Sequence, residues 1–189
     1  MARKYTEIDQ IQNYILTTVD IDFAYQVNRW IEQMTQYIET TTGRIFLADE
    51  EESEKVYDGN GHTEMMIDEF TSIKKLTIGG VEILPADYYI YPNNQENKNK
   101  IVLKNARFTK GNQNVVVEAM WGYSITVPND LIFACTVLVC GMIYNSWSQE
   151  GEVQSMSMGR YSVSYKDQKG WNDLEQSKSI IEQYKIFNF

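Results

Sequence analysis

The sequence predicts an α+β protein, a helical bundle with an antiparallel β unit inserted between its second helix and a long apolar helix. Three observations carry this reading. Apolar residues recur at helical spacing up to about Gly43. From Arg44 to about Thr126 the pattern shortens to strands set off by turn residues. Leu131 to Tyr144 is then an apolar run broken only by Thr136. The chain accordingly divides into an N-terminal helical part (1–43), a β insertion (44–126) and a C-terminal helical part (127–189), the last holding an assembly loop, a strand and a terminal helix.

The first helix starts where Thr6 precedes Glu7 and Asp9, and Ile8, Ile11 and Ile15 follow at helical spacing. The second begins near Asp20 or Asp22, carries Val27, Ile31, Met34 and Ile38 on one face, and stops where Gly43 supplies a left-handed cap. Candidate strands are Lys55 to Tyr57, Glu64 to Asp68, Ile73 to Ile78, Tyr88 to Tyr91, Lys100 to Leu103 and Val115 to Met120. Gly79-Gly80 turns Ile73–Ile78 into Val81-Glu82-Ile83 as a two-residue hairpin. Pro128 opens the long apolar helix, which ends near Ser146. Gln149 to Gly159 is polar and without period, and reads as a mobile loop. A short strand, Tyr161 to Tyr165, and a helix from about Trp171 to Tyr184 complete the chain.

The apolar run is too short for the roughly 20 residues of a membrane span and reads as a core helix. No apolar signal segment follows Met1-Ala2-Arg3-Lys4, so synthesis in the cytoplasm is expected. Cys135 and Cys140 lie five residues apart on one helix, which turns them by roughly 140° from each other; they read as buried thiols rather than a disulfide. The formal charge of −9, from 26 acidic and 17 basic residues without a basic cluster, argues against specific nucleic-acid binding.

Little in the sequence suggests chemistry. His62 is the only histidine, which removes Ser-His and Cys-His nucleophiles and multi-histidine metal sites. Asp58, Asn60 and Glu69 fall at positions 1, 3 and 12 of a calcium loop, but Thr63 stands where that loop needs glycine. Asp58-Gly59-Asn60-Gly61 is more simply a turn. Asp49 to Glu54 is a strongly acidic stretch that reads as solvated loop. Trp121-Gly122-Tyr123 beside Tyr88, Tyr89 and Tyr91 has the makings of a sugar-stacking platform, against the commoner role of strand aromatics as core.

The order of several short motifs carries a resemblance. Tyr37-Ile38-Glu39 with Thr42-Gly43-Arg44-Ile45-Phe46, then Tyr57 to Gly61, Ile73 to Asp87 and Tyr88 to Pro92, are similar to segments of the head-tail connector, or head-completion adaptor, family of tailed phages. Arg107-Phe108, Gly111 to Val115, Trp121-Gly122-Tyr123, Val127-Pro128 and Gly159 to Tyr165 continue the resemblance, which spans roughly residues 5 to 165.

The resemblance implies a structural protein of the virion neck, without catalytic residue, cofactor or metal, made in the host cytoplasm. Copies would form a ring, twelve-fold in the family, beneath the portal protein. The ring would retain and conduct packaged DNA and offer a surface to a tail, stopper or tail-completion protein. No membrane partner and no specific nucleic-acid binding are expected. The candidate interface residues are Tyr161, Val163, Tyr165, Trp171, Tyr184, Phe187 and Phe189: alternate strand positions suited to pairing with a neighbour's edge, followed by aromatic anchors. The alternative function is a carbohydrate-binding β module of a phage tail or cell-surface protein.

Overall fold

The computed structural model describes residues 3–147, 154–158, 161–165 and 168–186. The chain forms two compact units, one from 1–44 with 127–189 and one from 45–126.

In the first unit, α1 (Ile8–Ile15) and α2 (Ile21–Thr42) precede α3 (Asn129–Trp147) and α4 (Gln168–Gln183). The cap of α1 is Glu7 rather than Thr6: its carboxylate and the Gln10 side chain close a reciprocal box. Thr6 is instead buried, its hydroxyl 2.6 Å from that of Thr136 on α3. Asp20 caps α2 by accepting from the N–H groups of Asp22 and Phe23, and Gly43 ends it. Because α3 is apolar on nearly every side, it buries Leu131, Ala134, Val137, Leu138, Val139 and Ile143 at once. It packs against α1, α2 and α4. α4 turns Leu174, Ser177 and Ile181 inward.

One expectation fails here. Residues 154–158, assigned to the mobile assembly loop, form a strand, β7 (Gln154–Met158), which pairs antiparallel with β8 (Tyr161–Tyr165). Ser155-Met156-Ser157-Met158 alternates in polarity, a period-two signal only four residues long within a polar stretch. Residues 149–153 and 159 lie outside the described residues.

The second unit is a six-stranded antiparallel sheet of β1 (Ser53–Gly59), β2 (Glu64–Ile78), β3 (Val81–Ile83), β4 (Tyr88–Tyr91), β5 (Lys98–Leu103) and β6 (Gly111–Trp121). The order is β1-β6-β2-β5-β4, with β3 as the hairpin partner of β2. The two sequence segments 64–68 and 73–78 belong to the one strand β2. Its first part pairs with β5 and its second with β6, with register breaks between Met66 and Phe70, Phe70 and Ser72, and Ile73 and Lys75. Such breaks bend a strand, and this one lets β2 serve two partners around one core of Phe70, Leu76, Ile101, Phe108, Val117 and Trp121. Gly79 and Gly80, at φ 56° and 81°, make the hairpin turn that L side chains resist.

Candidate interaction surfaces

The polar groups singled out in the sequence serve as structure. The Asp58 carboxylate accepts from the Gln113 N–H at 2.6 Å, and Asn60 accepts from the His62 N–H while donating to the Glu64 carbonyl. Glu69 accepts from the Asn97 side chain at 3.4 Å and its carbonyl receives the Gly122 N–H. These residues close turns and strand ends, and among the described residues no three His, Cys, Asp or Glu side chains converge as a metal site. An open groove of about 690 Å³ runs beside this turn, lined by Tyr57, His62, Glu64, Met65 and Met66 among others.

The buried thiols are equally inert. Burial pushes Cys135 up to about 12, partly offset by the Thr35 hydroxyl, and burial also raises Cys140. Neither supplies the thiolate that nucleophilic or metal-binding cysteine requires.

The proposed stacking platform is a correction. Trp121 is 2% exposed, donates its Nε1–H to the Ser53 carbonyl at 2.8 Å, and lies under Lys55, whose Nζ is 4.5 Å from the ring centre. Tyr123 packs on Phe46 at 5.5 Å, and Tyr88 is buried. Trp121 falls in register with the inward row of β6, Val115, Val117 and Ala119, so the pleat turns it into the core. Tyr89 and Tyr91 do reach solvent, on the opposite face from Tyr88 and Ile90.

The candidate interface residues fall in three groups. Tyr161, Val163 and Tyr165 lie along β8, with Met158, Met156 and Gln154 opposite them on β7. One edge of β8 is therefore filled within its own chain. Trp171 is half-buried on α4. Tyr184 is half-buried just past α4 and donates its hydroxyl to the Asp130 carboxylate, 3.0 Å to Oδ2. Phe187 and Phe189 lie outside the described residues. A second clasp holds α4 to α1, since the Tyr14 hydroxyl donates to Asp173 at 2.6 Å. Burial raises that hydroxyl's pKa, and the Asp173 carboxylate raises it further.

Of two exposed apolar patches, sequence reasoning missed the first and named only Tyr89 and Tyr91 of the second, as part of the stacking platform. Leu16, Ile21 and Tyr25 project at the α1–α2 turn, and Met66, Tyr89 and Tyr91 on the β unit. Hydrophobic periodicity does not find them, because they lie at a turn and on the outer face of strands whose other face is the core.

Comparison with known proteins gives these surfaces a context. The family model of the head completion protein matches residues 4–187. A chain in the neck of an empty GTA particle computed with C6 symmetry superposes with a TM-score of 0.60 at 12% identity, covering 96% of this chain and 90% of that one. A chain in the neck of a native GTA particle computed with C12 symmetry superposes at 0.52 and 13% identity, covering 100% and 97%. Likenesses this distant establish a shared fold. No curated protein matches the sequence. The family match over nearly the whole length, on a fold of the same architecture, means that this chain belongs to the head completion protein family.

Proposed function

We propose that the protein is a structural head-tail adaptor of a tailed phage or phage-like particle. Copies form a ring beneath the portal, join the capsid to the tail, and help retain and conduct the packaged DNA. The observation that carries this reading is the family match over residues 4–187, supported by folds shared with particle necks at near-complete coverage. The chemistry agrees: the thiols are buried and protonated, and the only histidine sits exposed on a turn. The protein acts through its surfaces, in the virion neck, and not as an enzyme.

The acid excess suits a conduit, because carboxylates facing a lumen repel the phosphate backbone and let DNA pass without adhering. The isolated protein should therefore show weak or no retention of double-stranded DNA at physiological salt. Partners on the two faces of the ring are the portal protein and a tail, stopper or tail-completion protein. Tyr161, Val163, Tyr165, Trp171, Tyr184, Phe187 and Phe189 are proposed to contribute to them from the segment that follows α3.

The test is attachment. Purified protein should bind portal-bearing heads lacking it and restore their capacity to accept tails, and negative-stain images should show rings at the vertex. Failure to bind such heads, together with tight salt-sensitive retention on DNA, would sink the reading.

A further inference from the structure

We propose that the two exposed apolar patches are the two halves of one contact between neighbouring copies of this chain. The inference rests on the ring reading above and names the surfaces that close the ring.

The first patch lies at the α1–α2 turn. Leu16 and Ile21 are each 89% exposed and Tyr25 is 71% exposed. Tyr25 follows Ile21 by four residues, so the two share one face of α2. Leu16 occupies the left-handed region, φ 54° and ψ 35°, where a non-glycine residue is strained. That conformation ends α1, with the Leu16 N–H donating to the Gln12 carbonyl, so the backbone serves the helix end while the side chain is left in water, where a covering neighbour would stabilise it. The flanking charges are carboxylates, the exposed Asp20 and Asp22, and no lysine or arginine occurs between Lys4 and Arg29.

The second patch is the outer face of β2, β5 and β4. Register fixes its layout: Met66 and Tyr91 both stand opposite Lys100, and Glu64 and Tyr89 both stand opposite Val102. Met66 is 62% exposed and Tyr89 53%. Lys104 Nζ lies 4.3 Å from the Tyr89 ring centre and Lys100 Nζ 5.4 Å from that of Tyr91, so two cations lie over the aromatic surface. Glu64 shares the face and pairs with Lys100 at 3.4 Å.

One patch is thus apolar with a carboxylate rim, and the other apolar and aromatic with lysines. They are complementary and unlike, as a head-to-tail contact requires. Only contacts between two different surfaces of identical subunits propagate around a ring of more than two copies. Charge complementarity across such a contact sets register and speeds encounter, while the apolar groups supply the desolvated centre.

A charge-exchange experiment on the full chain tests this. Asp22→Lys alters the first patch and leaves the Asp20 cap intact; Lys100→Glu with Lys104→Glu alters the second. All three positions are on the surface, and circular dichroism checks that each variant folds. Self-association is followed by native mass spectrometry and sedimentation across a concentration series at low salt. Each set alone should weaken association about tenfold or more, a change equivalent to about 1.4 kcal/mol. The chain carrying all three substitutions should recover part of the lost association, because the lysine introduced at position 22 then faces the glutamates introduced at positions 100 and 104, although Asp20 still opposes them. Ile21→Ser should weaken association without rescue by either set. If the wild type forms rings and the single sets form them equally well, or if the combined chain is not rescued, this contact is wrong and the ring reading stands. A wild-type chain that stays monomeric in solution and forms no ring on portal-bearing heads overturns both. Lysine variants that lose binding to a polyanion such as heparin, with mass unchanged, overturn the contact and assign the face to an acidic polymer.

Discussion

The helical unit closes around one helix that both ends of the chain must embrace, whereas the β unit is built from one uninterrupted segment, residues 45–126. In the helical unit the apolar surface is concentrated on α3, and α1, α2 and α4 each cover one side of it. In the β unit the apolar surface is spread over all six strands, and a bent β2 joins the β1-β6 half to the β5-β4 half. The difference teaches where each unit is vulnerable. The helical unit depends on contacts between residues more than a hundred positions apart, such as Thr6 with Thr136 and Tyr14 with Asp173. The β unit depends on strand pairings within its own segment, chiefly β6 between β1 and β2, and on close approach of backbones.

The sharpest test of this contrast is to remove residues 168–189. The helical unit then loses the buried Leu174 and Ile181 and the clasps to Tyr14 and Asp130. At about 1.5–3 kcal/mol for each buried side chain and about 1 kcal/mol for each hydrogen bond, the loss is on the order of the unit's whole stability. Helical circular dichroism should collapse, while a fragment of residues 45–126 keeps a cooperative thermal transition. A truncated chain with native helicity would show instead that α4 serves assembly alone.

Next in size is Val139→Asp, which places an unpaired carboxylate at a fully buried position of α3 and should cost about 3–5 kcal/mol. Amide hydrogen exchange should report opening throughout the helical unit with the strands still protected. Loss of protection in both units together would mean that they fold as one.

For the β unit the corresponding weak point is Gly59. A Cβ there would fall 1.9 Å from the Thr109 carbonyl oxygen, so the β1 end and the β5–β6 connection must move apart. Gly59→Ala should cost about 2–3 kcal/mol, seen as a lower melting temperature of the β fragment and unchanged stability of the helical unit.

The smallest expected effect is on pH dependence. Burial raises Cys135 from 9.0 to about 12 and also raises the Tyr14 hydroxyl, so the folded helical unit holds these protons more tightly than the unfolded chain does. Their contribution is complete below the unfolded thiol value of about 9 and is lost as pH rises toward the folded values. Alkaline unfolding of the helical unit should move to higher pH in Cys135→Ala, by a few tenths of a pH unit after allowing for the lost packing. An unchanged midpoint would exclude the thiol as a contributor.

Much of this architecture was legible without coordinates. Helical spacing located α1 and α2, Asp20 or Asp22 and Gly43 marked the ends of α2, and an apolar run broken only by Thr136 announced α3 as the central helix. These features are encoded locally, in the period of one segment and the residues that cap it. The ordered motifs likewise pointed to the head completion family before the family match did.

Tertiary structure alone decided the rest. A sequence of short strands does not say that segments 64–68 and 73–78 are one bent strand, because the bend exists only through pairing with β5 and then with β6. Trp121 looked like a platform and is core, since which face of a strand points inward depends on register against its neighbours. Residues 154–158 became a strand because β8 was there to pair with them. That Leu16, Ile21, Tyr25 and Met66 stay exposed could be seen only once the core side chains had found partners. Exposure is a property of what fails to be covered, and covering is a matter of contacts between distant segments, which local periodicity does not record.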